Sequence, residues 1–249
     1  GNRNDSTLDY LAVTASIDRQ IEEMDAVCRF VQAKRRSEKR TFLCFDEWNV
    51  WYKNHETDGE GKFAPHLIEE IYNLEDALVV AGFLNSFIRH ADVVKIANIA
   101  QIVNVIAPIQ TRGDDLLIQS IFYPFEMFSQ RAAGTALQVA IDGPTYESES
   151  YGRVPYIDAG VVLDDDRLHV FATNRSFSEP AIVHVVVADR EIQKLESAEV
   201  LIGPDAKAAN SFVAPDVVRS TIFEDVTVRS GVAKAALPPL SVAAMTFSV

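Results

Sequence analysis

The chain has 249 residues, 48% of them apolar and 24% charged, the make-up of a folded globular protein with enough core for one large domain or two ordinary ones. Its 36 acidic and 23 basic residues give a formal charge of −13, which argues against a nucleic-acid or anionic-membrane surface, because phosphate binding needs clustered Lys and Arg. There is no run of 18 apolar residues, so no membrane-spanning helix is expected, and Cys28 and Cys44, one in a helical pattern and one in an apolar strand, read as two buried free thiols of a reducing compartment.

From residue 10 to residue 31, apolar side chains recur at helical spacing (Leu11, Ile17, Ile21, Met24, Val27, Cys28, Val31), which predicts one long amphipathic helix. The basic "KRRSEKR" that follows reads as its solvated end. "TFLCF" at residues 41–45 is too continuous for a half-exposed strand and predicts one buried on both faces of a parallel sheet. A polar loop spans residues 53–62, residues 66–91 read as helix in more than one piece, and the Val- and Ile-rich stretch 93–108 reads as a second buried strand with its loop. A further helical piece lies at 120–134. This alternation predicts an α/β region with parallel strands.

After about residue 135 the pattern changes to short alternating stretches such as "ALQVAI", "RLHVFATN" and "AIVHVVVAD", separated by Asp, Asn, Gly and Pro turns, as expected for a β-sandwich. The predicted organisation is an α/β domain over 1–134 and a β-sandwich over 135–249. A closed (β/α)8 barrel needs about 250 residues by itself, and the α/β region holds only about two βα units. It is therefore either a small open sheet or the carboxyl-terminal part of a longer barrel.

The stretch "FDEWNVWY" (residues 45–52) carries the chemistry. Functional residues gather where parallel strands end, and a buried strand that ends in Asp46 and Glu47 is costly unless the acids are hydrogen-bonded or used. Trp48 and Trp51 offer flat apolar faces suited to a sugar ring, and carboxylates beside aromatics are the equipment of glycoside hydrolysis. The same residues also fit a helix N-cap or solvated loop with two core tryptophans. The histidines at 55, 66, 90, 169 and 184 show no metal-ligand spacing, "LDDDR" at 163–167 reads as a hairpin turn, and no Ser or Cys nucleophile motif or glycine-rich phosphate loop occurs. Neither a metal nor a cofactor is predicted.

"LCFDEWNVWY" (residues 43–52) resembles the nucleophile signature of the α-L-arabinofuranosidases of glycoside hydrolase family 51, and the likeness continues through residues 68–109, "IFYPFEMFS" at 121–129 and "VPYIDA" at 154–159. The resemblance implies the carboxyl-terminal part of a (β/α)8 TIM barrel, followed by a jelly-roll-like β-sandwich. Glu47 then matches the nucleophile, Gln101 a residue that hydrogen-bonds the sugar in the first subsite, and Trp51 an aromatic lining that pocket. Asn49 and Asn104 fall in the motifs with a supporting role. The family's general acid/base is a glutamate in an Asn-Glu pair, a dipeptide that occurs nowhere here, so the chain is expected to begin in mid-barrel, to need an amino-terminal barrel segment, and to be inactive or weak by itself. The resemblance further implies an arabinofuranosyl oligosaccharide as substrate, a homo-oligomer (a hexamer in the family) and a cytoplasmic location. A non-catalytic carbohydrate-binding or assembly module is the alternative.

Overall fold

The structure, a computed structural model, describes residues 1–52, 63 and 68–249; His55, His66 and the polar loop at 53–62 lie outside them. Where the spacing predicts one helix, two occur, α1 (Thr7–Leu11) and α2 (Thr14–Arg35). The junction is a tightened turn in which the Val13, Ala15 and Ser16 amides donate to the carbonyls of Tyr10, Ala12 and Val13, the i→i+3 pattern of a short 3₁₀ stretch. The first half of the apolar stripe is covered, with Leu11 and Ile21 buried, whereas Met24, Val27, Phe30 and Val31 are 43–65% exposed. The basic stretch closes the helix with Arg36 in the left-handed region.

Strand β1 (Leu43–Trp48) pairs in parallel with β2 (Val94–Ile99), and α3 (Leu74–Arg89) connects them. This α3 is one helix rather than several pieces. It starts late, at a capping box in which the Asn73 side chain accepts from the Asp76 amide and the Asp76 carboxylate accepts from the Asn73 amide. Burial of β1 on both faces is not observed. α3 covers the face of Leu43 and Phe45, while Cys44 and, across the pair, Ile96 are exposed, because the sheet has only two strands among the described residues. The expectation of two buried thiols falls with it: Cys28 is half-buried and Cys44 exposed.

The hairpin β3 (Ile109–Arg112) and β4 (Asp115–Ile118) and the helix α4 (Phe122–Ser129) complete this region. The chain then forms β5 (Thr135–Ala136), the hairpin β6 (Thr145–Ser148) and β7 (Gly152–Pro155), β8 (Ile157–Asp164), β9 (Arg167–Asn174), β10 (Ala181–Val185), β11 (Lys194–Ile202), β12 (Arg219–Ile222), β13 (Val226–Arg229), β14 (Val232–Leu237) and β15 (Ser241–Ser248). A six-stranded sheet in the order β12-β11-β15-β9-β8-β5 faces a three-stranded sheet β10-β14-β13. Most of the stretch at 136–141 stays outside the strands: β5 ends at Ala136, and only the Leu137 amide continues the ladder, donating to Val161. The three-Asp segment is the tight turn of the β8–β9 hairpin, with Asp165 at φ 53°.

The six-stranded sheet is buried on both sides. Leu168, Val170, Met245 and Phe247 face the smaller sheet, while Phe171, Val242 and Ala244 face the helices. That second face ties the two halves together. Phe128 of α4 stacks on Phe171 at 3.9 Å between ring centroids. α3 comes so close to β8 that a Cβ on Gly160 would lie 2.8 Å from Asn85 Oδ1. Asp158 at the start of β8 accepts from Asn85 (3.0 Å) and Arg89 (2.8 Å), and Arg89 also reaches Asp18 on α2 at 2.9 Å.

Candidate active site

The end of β1 is shaped by a bulge. Phe45 pairs with Ala97 and Trp48 with Ile99, so β1 spends one more residue than β2 over this stretch. Strict alternation would place Phe45 and Trp48 on opposite faces; the extra residue lets both face α3 and turns Asp46 and Glu47 outward, where both are exposed. Re-aiming side chains is a common use of bulges beside active sites. Trp48 is therefore not a platform for a sugar ring. It is buried, with its ring centroid 5.8 Å from that of Phe83, 5.2 Å from that of Phe87 and 5.5 Å from that of Phe125. Trp51, past the bulge, remains 42% exposed.

Gln101 leaves the neighbouring strand at the same end. The Ala100 amide donates to the Trp48 carbonyl at 2.8 Å, extending the β1–β2 ladder one step past the bulge, and Gln101 follows, exposed and with φ 65°. Glu47, Gln101 and Trp51 are thus carried out of the carboxyl-terminal end of one parallel strand pair, which is where such sheets place their chemistry.

Three further side chains hold this end together. The Asn49 amide donates to the carbonyls of Ala100 (3.3 Å) and Ile106, while its oxygen accepts from the Val50 amide at 2.8 Å. Gln119, 1% exposed, donates to the carbonyls of Glu70 (3.1 Å) and Ala107 (2.8 Å) and accepts from the Tyr72 amide. The Tyr72 hydroxyl donates to the Val50 carbonyl at 2.8 Å; burial, reinforced by the charge of Glu70, pushes that phenol far above its usual range. Asn104 ties its loop to the following hairpin by accepting from the Thr111 amide at 2.7 Å.

Beneath these lies an acidic cluster at the start of α3. The Asp76 carboxylate accepts from the hydroxyls of Tyr10 and Tyr52, both at 2.8 Å, and burial raises its pKa to about 6. Glu75 accepts from Thr7 (2.8 Å) and Lys207 (2.7 Å). Away from this end, His90 caps α3 beside Asp18, and His169 pairs with Thr246. Among the described residues no group of three His, Cys, Asp or Glu side chains is placed to hold a metal ion, and no helix is long and apolar enough to cross a membrane.

The class defined by this arrangement is a mixed α/β and all-β protein with a polar site at parallel strand ends, backed by a β-sandwich. The family model described as "Alpha-L-arabinofuranosidase C-terminal domain" matches residues 46–241. The intracellular exo-alpha-(1->5)-L-arabinofuranosidase of Halalkalibacterium halodurans is 44% identical over 185 residues, covering 72% of this chain and 37% of the relative. Its counterpart 1 in Bacillus subtilis is 39% identical over 226 residues, covering 88% and 45%. Among solved structures, the family 51 α-L-arabinofuranosidase AbfB of Bifidobacterium longum superposes with a TM-score of 0.90 at 30% identity, over 99% of this chain and 50% of that one. The chain belongs to the family of α-L-arabinofuranosidase C-terminal domains. It spans half or less of the length of these relatives.

Proposed function

We propose that the chain is the carboxyl-terminal part of a retaining α-L-arabinofuranosidase, in which residues 1–134 complete a (β/α)8 barrel supplied mainly by the rest of a longer protein and residues 135–249 form its sandwich domain. The observation that carries this reading is the emergence of Glu47 and Gln101 from adjacent parallel strand ends, beside the exposed Trp51, within the region of family likeness. Glu47 attacks the anomeric carbon of a terminal arabinofuranosyl residue and forms a covalent glycosyl-enzyme. A second carboxyl group, about 5–5.5 Å away in retaining enzymes, protonates the leaving oxygen and then activates water. No Asn-Glu pair occurs in this chain, so that group comes from the remainder of the barrel. Gln101 holds the sugar hydroxyls and Trp51 lines the pocket. The substrates are arabinose-bearing oligosaccharides, and the complete enzyme works in the cytoplasm as a homo-oligomer.

Turnover of an aryl α-L-arabinofuranoside tests this. The barrel-complete protein should be active, its Glu47→Gln variant should lose at least about 10³-fold in kcat, since the chemical step has no alternative nucleophile, and the isolated 249-residue chain should show little or no turnover. Retention of most of the rate by Glu47→Gln would remove the nucleophile assignment. Full activity of the isolated chain would remove the requirement for a second carboxyl from elsewhere.

A further inference from the structure

The loop after β2 holds three non-glycine residues in the left-handed region within six positions: Gln101 at φ 65°, Asn104 at φ 64° and Ile106 at φ 41°. Asn adopts this conformation readily, but a β-branched isoleucine there is an outlier, and such strained residues persist only where their surroundings hold them. The Ile106 amide donates to the Ile68 carbonyl and Asn104 is tied to the following hairpin, but one side chain joins the two ends of the loop. The two amide hydrogens of Asn49 reach the carbonyl of Ala100, immediately before Gln101, and that of Ile106, the most extreme of the three. A single NH2 group therefore clasps both ends of the loop that presents Gln101. The clasp is itself fixed, because Asn49 Oδ1 accepts from the Val50 amide at 2.8 Å and the strand ends are joined by the Ala100–Trp48 bond.

From this geometry we infer that Asn49 is a positioning residue for the sugar subsite, acting through Gln101. The inference rests on the proposed function for the roles of Glu47 and Gln101, and it adds a role for a residue that touches neither sugar nor nucleophile. Asn49 lies two residues beyond Glu47, so the strand that carries the nucleophile also sets the neighbouring loop, and one backbone placement fixes both groups relative to the same ring. Only a side chain with two donors can serve. Aspartate would set its oxygens against the two carbonyls, and serine could satisfy one carbonyl at most.

The test is a double-mutant cycle in the barrel-complete protein, reading kcat and KM on an aryl α-L-arabinofuranoside together with Tm. The variants are Asn49→Ser, Asn49→Asp, Gln101→Ala and each Asn49 variant combined with Gln101→Ala. Misplacing a positioned group by about 1 Å costs on the order of 10²-fold, and that is the loss in kcat/KM expected for each single variant. The combined variants should fall no more than about threefold below Gln101→Ala, because a displaced loop has nothing further to lose once Gln101 is gone. If the losses multiply, or if both folded Asn49 variants keep their rate within about threefold, the inference is overturned. Failure of both Asn49 variants to fold would also overturn it, by giving Asn49 a purely structural role. If Gln101→Ala keeps full activity while Glu47→Gln does not, the fault lies in the sugar-binding assignment of Gln101, on which the inference depends.

Discussion

Asp76 sits fully buried at the first turn of α3, and two opposing influences act on it. The Asn73 amide, the Tyr10 and Tyr52 hydroxyls and the helix dipole favour the carboxylate, but removal from water outweighs them and raises its pKa to about 6. A carboxyl that binds its proton more tightly in the folded state stabilises the fold most below its unfolded value, and that contribution is lost as pH rises from about 4 to about 6. The shift from 3.8 to about 6 corresponds to about 3 kcal/mol. Urea unfolding from pH 4 to pH 7, for the protein and its Asp76→Asn variant, isolates this group, since other titrations appear in both profiles. The difference in stability between the two should shrink by roughly that amount as pH rises; parallel profiles would show that Asp76 titrates normally. Nothing in the local sequence announces the cluster. The capping box emerges only in the structure, and the two tyrosines that close over it come from residues 66 and 24 positions away.

At the scale of the element, β1 shows how far pattern reading reaches. The strand and the acids at its end are readable from "TFLCFDEWNVWY"; its parallel pairing is as expected, but the two-sided burial from which that was read is not observed. The bulge is not readable, since it depends on the register with β2, and the bulge decides which tryptophan is inside. Trp48 and Trp51 look equivalent in sequence, yet one is packed among Phe83, Phe87 and Phe125 and the other is 42% exposed. The two should separate cleanly on substitution. Trp48→Ala should cost about 3–5 kcal/mol in denaturant unfolding, as for large aromatics removed from a core, whereas Trp51→Ala should change stability by no more than about 0.5 kcal/mol. In the barrel-complete protein Trp51→Ala should instead raise KM for the aryl arabinofuranoside. A comparable stability loss for both would mean that the bulge does not sort them as described. Asn49 stands in the motif, but what it clamps was hidden, as was the role of Gln119, because these partners are backbone groups of loops about 50 residues away.

Across the whole molecule, the two halves were legible separately and their joint was not. Alternating apolar residues predict the strands of the sandwich, and residues 66–91 read as helix in pieces where α3 is one, but the contacts that unite them depend on which faces meet. β15 illustrates the point: "SVAAMTFS" has seven consecutive buried residues because the smaller sheet covers one side and the helices cover the other. At the centre of the joint, Arg89 of α3 binds Asp158 of β8 at 2.8 Å and Asp18 of α2 at 2.9 Å, while Arg175 lies 3.6 Å from the same Asp158. Asp158 is 5% exposed, so these cations, rather than water, surround its carboxyl group. Removing one member of a buried pair leaves the other charged and unpaired, at a cost of about 3–5 kcal/mol, whereas removing both is far less costly. Arg89→Met should therefore destabilise strongly, toward the lower end of that range because Arg175 remains nearby. Adding Asp158→Asn to Arg89→Met should restore only part of the loss, since asparagine can still accept from a neighbouring donor but leaves the buried Arg175 guanidinium without its counter-charge. Denaturant midpoints for the two single variants and the double variant measure this directly. Simple addition of the two losses would mean that Arg89 acts through packing of its stem on α2 and β8, and that the halves are held by their apolar faces alone.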